Sequence, residues 1–383
     1  MNIKYILTHP IQYQSPLIRY LTKKGIDIEV LYRSNYSTKK FFDKQFKREI
    51  KWDINLLKGY KYRFLDYIGP NRVSLFFPIT IEYYKKIFSD KANIIWIHSL
   101  KNWYNLIIIV LSKIHNKKVF IRDESHFLIR GTHKKRGFFN HLFNKSLFFF
   151  LDPLISGYLC IGSANKKFYK RYKIEKKKLF HVPYTVDNNF FYKKKIKKTN
   201  NEINYLYAGK FTFSKGADLL IEAIKILSKH KNFVKKTKFT FIGDGEIKKE
   251  CIEYVKKNKL VNVKFLPFQN KYNDLIKYYQ KCDVFILPSR FETWGLTINE
   301  AMSCRSAIIS SKECGASYDL VKNDINGHTF KNNDAIDLSK KILKIYKQKK
   351  KINLFKNNSF KIISKWSFAQ CYDGLKKAID KQL

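Results

Sequence analysis

Short apolar runs alternate with longer segments of helical periodicity along the first half of the chain. The runs are rich in β-branched and aromatic residues, and they occupy positions 3–9, 27–33, 93–99, 118–124 and 158–163. A continuous apolar run of this length is typical of a strand that is buried on both faces of a sheet. The alternation therefore predicts βα units and a parallel sheet.

A second series of runs follows a Lys/Asn-rich tract at 193–200. Its predicted strands lie at 203–210, 238–245, 262–268, 283–289 and 306–311, and residues 216–230 have the apolar spacing of a helix. Two α/β halves joined near residues 190–202 are therefore expected. In such sheets ligands bind beyond the carboxyl ends of the strands, so a central cleft between the halves is the predicted site.

The segment SRFETWGLTINEAM (289–302) brings candidate chemistry to one strand end. Gly295 is expected to open a helix, where the N–H groups of Gly295, Leu296 and Thr297 can meet a phosphate. Glu292 and Glu300 flank that turn and can accept hydrogen bonds from hydroxyl groups. The spacing alone leaves a second interpretation open, in which Glu292 caps the helix and Glu300 is a solvated surface acid.

The amino-acid composition gives the chain a large positive charge, but it does not identify the binding partner. The 383 residues exceed the usual size of a single core, and 76 Lys plus Arg against 31 Asp plus Glu give a net charge of +45. Such a charge fits an anionic small molecule, a membrane surface or nucleic acid, but a Lys- and Asn-rich coding bias explains it equally well. The chain shows none of the known nucleic-acid-binding modules, which makes that partner a remote alternative.

Metal and redox chemistry find little support in the residue spacing. The six cysteines form no CxxC pair, and no D-x-D triplet is present to hold a divalent metal on a diphosphate. We therefore expect reduced cysteines, a cytoplasmic protein, no metal site and no cofactor. The apolar start of the chain, ending at His9-Pro10, is too short for a signal sequence or a membrane span.

Several motifs together resemble the retaining, two-Rossmann-domain nucleotide-sugar glycosyltransferases of family 4, which have the GT-B fold. The similarity includes the E-x7-E segment within 289–330, YAGKFTFSKGADLLIEAI at 207–224, FIGDGE at 241–246 and HVPYTVDNNFF at 181–191. It extends upstream to THPIQYQSPLIRYL at 8–21 and WIHS at 96–99. The resemblance thus covers nearly the whole chain.

The resemblance implies roles for residues of the carboxyl-terminal half. Glu292 would contact the donor sugar, Glu300 would hold the ribose, and the amides of Gly295 to Thr297 would meet the sugar or diphosphate. Lys210 and Lys215 would neutralise the departing diphosphate. Lys210 stands where the family more often has Arg, so the bidentate fork of a guanidinium is lost there.

In the amino-terminal half the resemblance places His98 beside the donor sugar and the acceptor, although a histidine at a strand end can also be purely structural. The first βα loop lacks the Gly-Gly that many members have, which leaves its contacts open. Ordinary loop charges are an equal alternative for 122–126. The candidates for the acceptor side are His9, Gln12, Tyr13, Arg122, Glu124 and His126.

The domains implied are an acceptor domain at 1–192, a nucleotide-sugar domain at 193–360, and a helical segment at 361–383 that packs back on the first domain. The expected reaction moves a sugar from a nucleotide sugar to a sugar or lipid-linked saccharide acceptor, with retention and without metal, in bacterial surface polysaccharide or glycolipid synthesis. A nucleotide-sugar epimerase or a sugar phosphorylase on the same fold is the alternative.

Residues 133–151, HKKRGFFNHLFNKSLFFFL, combine a basic start with aromatic positions at helical spacing. One interpretation is a peripheral helix that dips Phe139 and Phe143 into an anionic membrane. The other is a helix whose stripe packs against the amino-terminal sheet.

Overall fold

The computed structural model describes residues 2–43, 46–68, 79–80, 87–88, 92–100, 102–126, 134–192 and 202–382, without the side chains of 68, 79 and 134–138. The chain forms two compact units. Unit 1 contains Met1–Phe41, Ile54–Val186 and Ser367–Leu383, and unit 2 contains Phe42–Asp53 and Asp187–Trp366.

The strands follow one another as β1 (Asn2–Leu7), β2 (Asp27–Tyr32), β3 (Phe41–Asp43), β4 (Arg48–Ile50), β5 (Lys61–Phe64), β6 (Tyr67–Ile68), β7 (Ile79–Thr80), β8 (Ile94–His98), β9 (Lys118–Arg122), β10 (Gly157–Cys160), β11 (Leu179–His181), β12 (Ile203–Ala208), β13 (Thr237–Ile242), β14 (Val263–Leu266), β15 (Val284–Leu287), β16 (Ala307–Ser311) and β17 (Gly327–Phe330).

The helices among the described residues are α1 (Gln14–Lys23), α2 (Trp103–Ile114), α3 (Lys134–Leu151), α4 (Ser163–Arg171), α5 (Asn188–Phe191), α6 (Ala217–Leu227), α7 (Lys231–Lys236), α8 (Lys248–Lys257), α9 (Tyr272–Lys281), α10 (Leu296–Ser303), α11 (Ser317–Leu320), α12 (Ala335–Lys347), α13 (Ile352–Ser364) and α14 (Phe368–Gln382).

Unit 1 is built on a parallel sheet with the strand order β11-β10-β9-β8-β1-β2-β5. Strands β1, β8, β9 and β10 are mostly buried because both faces of the sheet are covered, whereas the edge strand β5 is mostly exposed. One face packs against α2, α3 and α4, and the other packs against α1 and α14. The strand order runs outward in both directions from the β1/β8 pair, which makes that pair the topological switch point of the sheet.

Unit 2 repeats this plan with the parallel order β14-β13-β12-β15-β16-β17. Its switch point is the β12/β15 pair. Helices α6 and α12 bury their apolar stripes on one face of the sheet, beside Ile286 and Ile309. The prediction of an α/β protein with two Rossmann-like sheets is confirmed.

Two segments pack with the unit that is more distant in sequence. Residues 42–53, which include most of the β3–β4 hairpin, belong to unit 2, where Phe46 packs edge-on against Phe268 at 4.6 Å between ring centroids. Helix α14 belongs to unit 1, where Phe368 and Cys371 join the apolar cluster that contains α1. Gly374 in α14 lies so close to the His181 carbonyl that any Cβ would overlap it.

The unit limits differ from the predicted domain limits. Apart from residues 42–53, the chain passes from unit 1 to unit 2 after Val186 rather than after residue 192, and it returns to unit 1 after Trp366 rather than after residue 360. Helix α13 stays in unit 2 because Phe355 is fully buried in that unit's core. The predicted segment 361–383 is therefore divided between the two units.

Candidate active site

The turn between β15 and α10 has a backbone conformation that requires glycine. Gly295 is the N-cap residue of α10 and has φ +97°, in the left-handed region. A Cβ at this position would lie 2.8 Å from Cys314 Sγ and 2.9 Å from a Leu287 methyl carbon. The turn therefore requires glycine, and the helix begins directly after it with Leu296 and Thr297, whose backbone N–H groups belong to its first turn.

Arg290 fixes the loop that carries Glu292. Its guanidinium donates to both carboxylate oxygens of Asp218, at 2.9 and 2.7 Å, and stacks on the ring of Phe213. Gly216 has φ +71°, and a Cβ there would overlap the Pro288 carbonyl oxygen. The loop after β15 is thus held against the turn that follows β12, which brings together two strand ends at the switch point.

That packing places two of the predicted catalytic residues, Lys215 and Glu292, in contact. Lys215 ends the 3-10 turn Phe213–Lys215, and its ammonium forms an ion pair with Oε2 of Glu292. Ser289, which is fully buried, donates to the same oxygen at 3.5 Å. A cation and a carboxylate, both only partly exposed, therefore lie together at the β12/β15 strand ends.

Lys210, two positions after β12, also has an acidic partner. Its Nζ lies 3.2 Å from Asp43 Oδ2 in the β3–β4 hairpin and 4.8 Å from the ring centroid of Phe46. Burial lowers the pKa of Lys210, and the charge of Asp43 opposes that shift. An anionic ligand at these strand ends would meet two lysines whose charges are balanced by Asp43 and Glu292.

Glu300 lies inside α10 and is only 8% exposed. It accepts a hydrogen bond from Tyr279 OH at 2.8 Å, and burial raises its pKa to about 7. The interpretation of Glu300 as a solvated surface acid is therefore wrong. Glu292 is not the N-cap residue of α10, since Gly295 occupies that position.

In unit 1, His98 ends β8 at the other switch point. Its Nδ1 lies 3.2 Å from Tyr5 OH and its Nε2 lies 3.2 Å from Tyr184 OH. Burial, with the nearby charge of Arg122 acting in the same direction, lowers the pKa of His98 to about 3, so the ring is neutral near pH 7.

Glu124 connects the first βα loop to this histidine. It accepts from Tyr184 OH at 2.8 Å and from Tyr13 OH at 3.2 Å. Because Tyr184 has a single hydroxyl proton and gives it to Glu124, we assign the His98 proton to Nε2, which donates to Tyr184. Predicted residues His98, Tyr13 and Glu124 thus form one hydrogen-bonded network.

Arg122 has a different place from the one predicted. It is 1% exposed and donates to the backbone oxygens of Pro183 at 2.7 Å and Val182 at 3.3 Å, as well as to Gln14 Oε1 at 3.4 Å. Its guanidinium also stacks on the Tyr184 ring. These contacts make Arg122 a clamp that orders the loop after β11, rather than a side chain that lines the acceptor side.

The remaining candidates of unit 1 lie in loops after β1 and β9. His9 packs edge-on against Tyr36, and burial lowers its pKa to about 4. Within the described part of the chain, the buried Nδ1 of His9 and Oε1 of Gln12 have no hydrogen-bond partner. His126 is partly exposed in the loop after β9. Buried polar atoms without a hydrogen-bond partner, such as those of His9 and Gln12, are suited to bind a ligand's hydroxyl groups.

Sequence reasoning missed four residues that organise these sites: Asp43, Tyr5, Tyr184 and Arg290. Tyr184 lies in the motif 181–191 and Arg290 lies in the segment 289–302. Their positions shortly after a strand could therefore have identified them as candidates. Asp43 and Tyr5 offered none, because their partners are 167 and 93 positions away.

The protein is thus an α/β protein whose strand ends carry paired lysines and carboxylates in unit 2 and a histidine network in unit 1. Residues 188–362 match the family model described as Glycosyl transferases group 1. This stretch, a little under half of the chain, contains Lys210, Lys215, Glu292 and Glu300. The predicted resemblance to glycosyltransferases is confirmed.

The names of individual relatives are consistent with this match. An uncharacterized glycosyltransferase of Methanocaldococcus jannaschii, MJ1178, is 28% identical over 49% of this chain and 51% of its own, so the chain spans about half the length of that relative. The UDP-Gal:alpha-D-GlcNAc-diphosphoundecaprenol alpha-1,3-galactosyltransferase of Escherichia coli is 23% identical over 85% of this chain and 88% of its own.

Among solved structures, the chain is similar to Anabaena Alr3699/HepE in complex with UDP, with a TM-score of 0.73 and 15% sequence identity. The match covers 99% of this chain and 100% of that chain. This similarity shows the fold, which is that of the GT-B glycosyltransferases.

Proposed function

We propose that the protein is an enzyme that transfers a sugar from a nucleotide sugar to an acceptor hydroxyl, with retention of the anomeric configuration, as a member of glycosyltransferase family 4. The acceptor is a sugar or a lipid-linked saccharide. The setting is the synthesis of a bacterial surface polysaccharide or glycolipid, on the cytoplasmic side of the membrane.

One observation carries this proposal: Lys210, Lys215, Glu292 and the glycine-opened start of α10 converge on the β12/β15 switch point. A diphosphate needs cations and N–H groups, whereas a sugar needs hydrogen-bond acceptors. Both sets are present at one edge of one sheet. The donor is therefore proposed to bind in unit 2, with its diphosphate near the lysines and its ribose near Glu300.

The proposed chemistry follows from these charges. The bond between the anomeric carbon and the diphosphate oxygen breaks, and its electron pair leaves with the diphosphate. Lys210, Lys215 and the N–H groups of α10 stabilise the negative charge that develops. The acceptor oxygen bonds to the anomeric carbon on the face that the diphosphate leaves, and the acceptor proton passes to the departing phosphate. Glu292 orients the sugar hydroxyl groups.

The acceptor is assigned to unit 1. The His98–Tyr184–Glu124 network and the unsatisfied atoms of His9 and Gln12 supply neutral and anionic hydrogen-bonding groups, which suit sugar hydroxyl groups. A lipid-linked acceptor is supported by the Escherichia coli relative, which is named for a diphosphoundecaprenol substrate and is matched over most of both chains.

A thermal-unfolding screen of nucleotide sugars tests the donor. A nucleotide sugar at a hundred times its dissociation constant is expected to add about 2.7 kcal/mol of apparent stability to the native protein. The Lys215→Ala variant should lose that protection, whereas Lys249→Ala, at a side chain 89% exposed in the same unit, should keep it. Absence of protection by every nucleotide sugar tried would contradict the proposal.

Product analysis separates the alternative enzymes. With the donor identified, a transferase forms product only when an acceptor is added. Conversion of the nucleotide sugar to its epimer without acceptor, or turnover that depends on inorganic phosphate, would favour an epimerase or a phosphorylase.

A further inference from the structure

Helices α2 and α3 of unit 1 each have one face in the core. Ile108 and Ile109 of α2 and Phe148 of α3 are buried in the cluster on one side of the sheet. Both helices also contact the 3-10 turn Asp152–Leu154. They therefore lie as neighbours on the same side of unit 1.

The outward faces of these helices are apolar as well. On α2, Trp103, Ile107, Val110 and Ile114 recur at intervals of three or four positions and are 36 to 68% exposed. On α3, Phe149 and Phe150 are 75% and 69% exposed, whereas the preceding Phe148 is buried. A solvated helix normally carries polar residues on this side.

The exposed apolar residues are concentrated here rather than spread over the chain. Nine of the nineteen large hydrophobic residues that are exposed in the described part of the chain belong to α2 and α3. The prediction that the α3 stripe packs against the sheet is therefore wrong for Phe139, Leu142 and Phe143, which are 68%, 43% and 66% exposed. Exposed apolar patches mark surfaces that bind a protein partner or a membrane.

The charged residues of the helices that form and flank the patch are all basic. Helices α2, α3 and α4 contain no Asp or Glu. Lys113 and Lys145 are exposed beside the apolar stripes, and α4 adds exposed Lys167, Lys170 and Arg171. Helix α4 adjoins α3, since Phe168 packs against Phe148 at 5.9 Å between ring centroids. Residues Lys134 to Phe138 begin α3, and their side chains lie outside the described residues.

We infer that the outward face of α2 and α3, flanked by the cations of α4, docks on an anionic lipid bilayer. Aromatic and aliphatic side chains enter the boundary between headgroups and acyl chains, while the lysines remain at the level of the phosphates. No helix of the described residues is long and apolar enough to cross a bilayer. Only the biological purpose, access to a lipid-linked acceptor, rests on the proposed function.

Vesicle flotation of the full chain tests the docking face without donor or acceptor. The protein is expected to float with vesicles rich in phosphatidylglycerol, to float less as salt is raised, and to stay behind with phosphatidylcholine alone. The paired change Phe143→Ser and Phe149→Ser should lower the partition coefficient by about tenfold or more. The pair Ile107→Ser and Ile114→Ser, on the other helix, should lower it similarly.

A control variant tests whether the loss of any exposed apolar side chains would reduce flotation. Val261→Ser with Ile336→Ser removes side chains that are 82% and 59% exposed on unit 2, and it should leave flotation unchanged. Thermal unfolding and light scattering establish that each variant is folded and report its oligomeric state.

Three results would overturn the inference. The first is a folded native protein that stays soluble beside anionic vesicles at low salt. The second is an equal loss of flotation in the unit 2 control. The third is a dimer that the Phe143 and Phe149 changes dissociate, without any vesicle binding, since a second copy would then cover the face. None of these outcomes depends on whether sugar transfer occurs.

Discussion

The two units share the same sheet plan, but the side chains at their switch points differ in charge. In unit 2, the β12/β15 edge holds Lys210 and Lys215, each paired with a carboxylate. In unit 1, the β1/β8 edge holds the neutral imidazole of His98 between two tyrosine hydroxyls. The shared topology fixes where a ligand binds, whereas the side chains after each strand decide which ligand charge is accepted.

The comparison predicts that loss of a charge in unit 2 costs far more activity than loss of a hydroxyl in unit 1. A departing diphosphate gains charge during the reaction, so its cations act most strongly in the transition state. An acceptor hydroxyl is neutral when it binds and can be held by several neutral partners.

The largest effect is expected for Lys215→Ala. Removing a group that stabilises the developing charge should lower kcat by about 100- to 1,000-fold. Turnover is measured with the nucleotide sugar that the thermal screen identifies. Lys215→Arg, which keeps the charge, should retain more activity than Ala, and unimpaired turnover in Lys215→Ala would remove this lysine from the mechanism.

The second effect concerns Glu300 and stability. Its folded pKa is about 7 against an ordinary 4.5, so below pH 4.5 the carboxyl is protonated in both states and costs nothing. As pH rises from 4.5 to 7, the unfolded chain releases its proton first, and the native state loses at most about 3 kcal/mol. Urea unfolding of native protein between about pH 5 and pH 8 should show this decline, and Glu300→Gln should remove it.

Glu253→Gln, at a side chain 64% exposed in the same unit, is the control and should leave the pH profile of unfolding unchanged. An identical profile in native protein and Glu300→Gln would show that the native Glu300 pKa is not raised. Glu300→Ala is also expected to weaken nucleotide-sugar binding, because its carboxylate is proposed to hold the ribose.

Tyr184→Phe should have a smaller effect, about 1 kcal/mol, because one hydroxyl leaves the network of His98 and Glu124. The KM for the acceptor is expected to rise while the KM for the donor stays constant, since Tyr184 lies in unit 1. Tyr346→Phe, which removes a hydroxyl bonded to the Asn232 carbonyl in unit 2, should change neither KM. Equal changes in both KM values would argue against a separate acceptor site.

The smallest expected effect is that of a chelator. Lysines and helix N–H groups are proposed to stabilise the diphosphate, so turnover should persist in EDTA. Loss of activity in EDTA that magnesium or manganese restores would show that the two lysines need a metal ion beside them.

Sequence patterns predicted the parts of these sites that depend on neighbouring residues. Gly295 and the helix after it could be predicted because the apolar strand 284–287 ends just before them. The hydrogen bonds of Arg122 could not be predicted, since their backbone acceptors at 182 and 183 are about 60 positions away. Nothing in the sequence distinguishes these two carbonyl groups from other possible acceptors. The Asp43–Lys210 pair was equally hidden, because a hairpin from the first half of the chain packs within unit 2.

Helix α14 gives the order of the chain a consequence for folding during synthesis. A ribosome that has made residues 1–186 has made α1 but not α14, the second helix on that face of the unit 1 sheet, where Phe368, Cys371 and Leu375 are buried. All of unit 2 is synthesised before α14 emerges. The amino-terminal unit, although begun first, is therefore the last to be completed, and the part of its sheet face that α14 covers stays exposed until residues 367–383 arrive.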